Sequence, residues 1–116
     1  MLTTKRVCEL ARALAGVSEY EHFGSDAFRT QGGTFATVWH AKNSVNLNLT
    51  VEQQRRFVLI DGEGFVEIDN VWGRQGWTTA NLEFVADESL REALELAWAN
   101  TANKPARKRA GGKKKV

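Results

Sequence analysis

Few side chains in this sequence are suited to reactive chemistry. There is one cysteine, Cys8, and there are two histidines, His22 and His40. A nucleophilic cysteine needs a neighbour that favours the thiolate, and none stands near Cys8 in the sequence, so Cys8 reads as a small packing residue. His22 and His40 lie far apart without a partner at ligand spacing. Zinc requires at least three protein ligands, and a catalytic triad requires an activated nucleophile, so each histidine reads as an ordinary strand residue. The carboxylates fall on helix faces (Glu88, Glu92, Glu95) or in strands (Glu67, Asp69), the usual places for solvated charge. No phosphate-binding loop or dinucleotide-binding pattern is present. The expectation is a protein that is not an enzyme and carries no metal or cofactor.

Cations supply a different chemistry. Seven of the 16 basic residues stand from Lys104 onward without an acid among them: Lys104, Arg107, Lys108, Arg109, Lys113, Lys114 and Lys115. Residues 1–103 therefore hold nine cations against all 14 acids, a formal charge of −5 beneath the total of +2. Such a tail attracts polyanions with an affinity that falls as salt rises, and it contacts phosphates rather than base edges. It is too polar to order itself, so residues 104–116 read as a disordered extension of a single domain over 1–103. Within that domain Arg29, Lys42, Arg55 and Arg74 are candidate phosphate contacts, while Arg56 is expected to pair with Glu52 four residues earlier. Arg74 lies inside Gly73-Arg74-Gln75-Gly76. A Gly-x-x-Gly loop between two helices clamps nucleic acid in KH domains. Strand-like sequence on both sides favours a hairpin tip here, its glycines explained by positive φ. Trp72 and Trp77, beside that turn, read as packing residues.

The elements that must hold these residues follow from periodicity. Val7, Leu10, Ala11 and Leu14 make one apolar stripe, with Thr3 or Thr4 as cap and Gly16 as stop. Short aromatic and β-branched runs follow ("EYEHF", "AFRTQ", "TFATVWHA"), separated by Gly24-Ser25-Asp26 and Gly32-Gly33. In "SVNLNLT", Val45, Leu47 and Leu49 alternate with Asn46 and Asn48, which predicts an antiparallel sheet with one buried and one wet face. Thr50 and Gln53 form a capping box before a second helix. "GFVEID" and "GWTTANLEFV" are strands joined by "NVWGRQG". Leu90, Ala93, Leu94, Ala97 and Trp98 mark a final helix with Asp87 as N-cap. The fold class is α+β, an antiparallel sheet with helices on one face.

Four stretches in this order, "ALAGVSEYEHFG", "FRTQGGTFATV", "WGRQGWTTANLEF" and "LREALELAWANTA", resemble the MmcQ/YjbR family of small bacterial proteins over about residues 3–102. The resemblance implies a two-layer α-β(3)-α-β(2)-α fold and DNA binding, described as a double-wing arrangement, with no catalytic role or cofactor. The fold is also similar to secretion chaperones, which bind protein segments as dimers, and distantly similar to frataxin-like domains. The acidic ridge for iron is missing, because Lys5, Arg6 and Arg12 outnumber Glu9 on the first helix. DNA is thus the expected partner. The alternative is a protein-interaction module, a homodimer among its forms, built on an apolar patch around Trp72 and Trp77. A pocket lined by Trp39, Trp72 or Trp77 would instead point to a small molecule. A single cysteine and charges at Lys5, Arg6, Glu9 and Arg12 predict a reducing cytoplasm and no membrane segment. The sequon Asn48-Leu49-Thr50 then reads as accidental.

Overall fold

The computed structural model describes residues 1–105. Helix α1 (Thr4–Arg12) leads into strands β1 (Ser18–His22), β2 (Ser25–Thr30) and β3 (Gly33–Trp39). A 3-10 turn (His40–Lys42) and β4 (Ser44–Asn48) precede α2 (Val51–Ile60), and β5 (Phe65–Glu67), the one-turn α3 (Val71–Arg74), β6 (Trp77–Asn81) and α4 (Asp87–Ala102) complete the order. The sheet runs β1-β2-β3-β4-β6-β5, antiparallel throughout. No helix among the described residues is long and apolar enough to cross a membrane.

Strand alternation divides the sheet into two unlike faces. Phe28, Ala36, Leu47 and Thr78 form one cross-strand row, and Val38, Val45, Ala80 and Phe65 the next. All eight are buried, and the apolar ones share one core with Val7, Cys8 and Ala11 of α1, Phe57 of α2, and Leu90, Leu94 and Ala97 of α4. Helices therefore cover this face. A bulge supports the packing: Ala36 opposes Phe28 and Thr34 opposes Arg29, so the extra residue Phe35 joins Ala36 in the core. The intervening row, Tyr20, Ala27, Thr37, Asn46, Thr79 and Val66, points the other way.

The caps at Thr3 and Thr50 form as the sequence implies, the second as a full capping box with Gln53. Other local features differ. The first strand run holds four strands, because "SVNLN" adds to the three before it. Asp87 is the first residue of α4 rather than its cap; Ala86 takes the cap position without a side-chain bond, and Asp87 meets the N-terminal amine at 3.3 Å. Arg56 pairs with Glu92 of α4 at 2.8 Å instead of Glu52, an exposed contact between residues far apart in sequence.

The largest departure is at 70–76, where a helical turn replaces the expected hairpin tip. Asn70 Oδ1 accepts from the backbone N–H groups of Trp72 and Gly73 at 2.8 and 3.2 Å, which starts a turn of helix. Gly76 does have positive φ, +116°, but Gly73 does not. A β-carbon on Gly73 would lie 1.5 Å from the Ile68 carbonyl oxygen, and one on Gly76 would lie 1.9 Å from that of Leu49. Close backbone approach at both glycines, with positive φ at Gly76 alone, accounts for the pair.

Candidate nucleic-acid interface

The face of the sheet opposite α1, α2 and α4 is a trough with aromatic walls and a polar floor. Its floor comes from Thr34 and Thr37 of β3 and Asn46 of β4. Thr79 donates its hydroxyl to Asn46 Oδ1 at 2.7 Å, which occupies the oxygen and leaves the amide hydrogens as the donor side. Tyr20 and His22 of β1, Trp39 of β3, Trp77 of β6 and Trp72 of α3 form the walls of a depression of about 320 Å³. Tyr20 is held by a 2.6 Å bond between its hydroxyl and that of Thr34. A second depression of about 530 Å³ shares Thr34, Trp72 and Trp77 and continues over Asn48, Gly32 and Gly33 to Lys104. Asn48 is fixed by donating to the Thr34 carbonyl at 3.1 Å.

The tryptophans are not core residues. Trp72 is 58% exposed, and Trp39 and Trp77 are half-buried. The packing role read from the sequence therefore fails for Trp72. Burying such a side chain would contribute roughly 1.5–3 kcal/mol or more, yet the backbone beneath it is built to hold the ring outside. Gln54, buried on α2, donates both amide hydrogens, to the carbonyls of Gly73 at 2.9 Å and Trp77 at 3.0 Å. One side chain thus ties α3 and the start of β6 to α2 and fixes the relative placement of Trp72 and Trp77. No local sequence signal marks Gln54, Tyr20 or Asn46 for these roles, because each depends on strand register and helix packing.

The cations singled out from sequence divide by face. Arg29 is exposed and pairs with Thr34 in register on the open face. Lys42 places Nζ 5.2 Å from the Trp39 ring, at the far end of the trough. Lys104 lines the near end, where Gln31 donates to its carbonyl at 3.0 Å and Thr30 bonds Thr101 at 2.8 Å to anchor the close of α4. Arg55 lies on α2 beside Val58, Leu59 and Glu67, on the helix-covered side. Arg74 closes α3 two residues after Trp72, about 200° around the turn, and is not among the residues lining the trough. None of these five forms an ion pair among the described residues, whereas Arg6, Arg12 and Arg56 do. Arg107, Lys108, Arg109, Lys113, Lys114 and Lys115 lie outside the described residues.

His40 is not the ordinary strand residue its sequence context implies. It opens the 3-10 turn, with Nε2 2.7 Å from Asp26 Oδ2 and Nδ1 2.8 Å from Thr4 Oγ1. Cys8 lies next to the same carboxylate, so Asp26 links both residues.

Known proteins bear out the architecture. The fold is similar to the crystal structure of Deinococcus radiodurans protein DR2400, a DUF419 domain, with a TM-score of 0.77. The likeness covers 90% of this chain and 81% of that one at 16% identity, which speaks to fold alone. No curated protein matches the chain. The YjbR family model matches residues 12–100, a span from the end of α1 to near the end of α4 that includes every strand of the sheet. By that match, the chain belongs to the YjbR family.

Proposed function

We propose that the chain is a non-enzymatic DNA-binding protein that holds unpaired bases in the trough and phosphates with Arg29, Lys42, Lys104 and the tail that begins at Lys104. One observation carries the reading: an aromatic trough with hydrogen-bonding side chains on its floor runs directly to the residue where the basic extension starts. Indole and phenol faces stack on bases of any sequence, while cations track the backbone. The −5 charge of residues 1–103 is unfavourable, but Arg29, Lys42 and Lys104 are outside ion pairs among the described residues and so keep their charge available for phosphate. Duplex DNA presents no free base faces, so the reading favours single strands.

Fluorescence anisotropy of labelled oligonucleotides tests it. The full chain is expected to bind single-stranded DNA at low salt more tightly than a duplex of the same length, and Trp72→Ala is expected to remove that preference. Negligible binding to both forms at low salt would sink the proposal. A second reading, a protein-interaction module, is favoured by the exposed Phe23 (86%) and Trp72 beside the open sheet edges β1 and β5. Failure to bind DNA together with a dimer in sedimentation equilibrium would support it.

A further inference from the structure

Cys8, Asp26 and His40 come from three elements to one corner of the molecule, away from the trough. Helix α1 packs over β2 and β3 and sets the buried Cys8 Sγ 3.8 Å from Asp26 Oδ2. Asp26 opposes Val38 and so shares its helix-covered face, and the 3-10 turn after β3 brings His40 Nε2 to 2.7 Å from the same oxygen. The three ligand atoms all lie within 4.8 Å of one another. Tetrahedral zinc bonded to sulfur, nitrogen and oxygen requires spacings of about 3.3–3.6 Å, so side-chain adjustments of roughly 1 Å bring the set to that geometry. We propose that Cys8 Sγ, Asp26 Oδ2 and His40 Nε2 form a binding site for a borderline-soft divalent cation of the zinc class, with a fourth position left to water.

The donor chemistry matches this ion class better than magnesium or calcium, which prefer oxygen-only sets. A thiolate and a carboxylate would neutralise the double charge. Thr4 supplies a support suited to both states: its hydroxyl donates to Nδ1 when Nε2 carries the proton, and accepts from Nδ1–H when Nε2 binds metal. The imidazole keeps its hydrogen bond to Thr4 in each case. Access is open, because the Asp26 and His40 side chains are 40% and 44% exposed above a buried Cys8. In the free protein, burial and then the Asp26 charge push the Cys8 thiol up to about 11. Metal binding must therefore release one proton from sulfur to solvent as the sulfur lone pair forms the bond.

The test uses tag-free full-length protein and Co²⁺ alone, whose bond to thiolate gives an intense near-ultraviolet charge-transfer band. The expected result is saturation at one cobalt per chain and loss of the band on adding Zn²⁺. Cys8→Ser should abolish the band, and His40→Gln, at an exposed position, should weaken cobalt binding by more than about tenfold with an unchanged circular dichroism spectrum. His22→Gln should bind as the wild type does. Absence of the band with cobalt in excess, or a titration unaltered by His40→Gln, would overturn the site.

Discussion

At Trp72 more than half of an indole faces solvent from a backbone turn that is itself tightly held. A ring in that setting adds little to folding and much to any surface it meets. Trp72→Ala is expected to weaken single-stranded DNA binding by about 1–3 kcal/mol while moving the melting temperature by no more than about 3 °C, read by anisotropy and by thermal circular dichroism. Gln54 should behave in the opposite order. Its amide satisfies two backbone carbonyls, one of them that of the buried Gly73, so Gln54→Ala leaves both without this donor. The expected loss is about 2–3 kcal/mol in urea unfolding, with weaker DNA binding following because the turn carrying Trp72 loosens. Trp72 was visible in the sequence beside its glycines. Gln54 was not, since nothing in a helical "VEQQRR" says which glutamine faces a carbonyl pair.

At the scale of elements, α3 is a helical turn made possible by its contacts. Helix propensity alone says that Gly73→Ala should stabilise it by up to about 1 kcal/mol. The Ile68 carbonyl oxygen, 1.5 Å from where the β-carbon would be, says otherwise. Backbone atoms cannot rotate aside, and a net loss of about 1–3 kcal/mol is expected from denaturant unfolding; a stabilised variant would show that the turn is held loosely. The tie between α1 and β1 has a pH signature. The Arg12 guanidinium, hydrogen-bonded to Glu19, holds that carboxyl below its ordinary value. A lowered folded-state value means the contribution is present above the ordinary carboxylate range and is lost as pH falls through the folded value. The stability gap between wild type and Glu19→Gln should therefore narrow on acidification, as followed by urea melts at several pH values. The long elements were legible because caps and apolar spacing act locally: Thr3, Thr50 with Gln53, and the stripes of α1 and α4 sit where local chemistry places them. The turn at 70–76 was misread because its glycines answer to Ile68 and Leu49, partners brought in by the fold.

At the scale of the whole molecule, the charge division makes a quantitative prediction. If the tail and trough act together, log K for single-stranded DNA should fall steeply with log salt. Ending the chain after Asn103 removes seven cations, which should flatten that slope by up to about 5 while Trp72 still contributes to the affinity that remains. Unchanged slopes would show that the tail makes no phosphate contacts. The sequence by itself determined the acidic domain with its basic extension, the α+β class and the two-sided sheet, because composition is additive and the period of a strand or helix is written in adjacent residues. Only the tertiary structure decided which cations share a face, that Trp72 stands in solvent, and that Cys8, Asp26 and His40 meet. Those outcomes depend on strand order, a bulge at Phe35 and helix packing, through which residues far apart in sequence become neighbours.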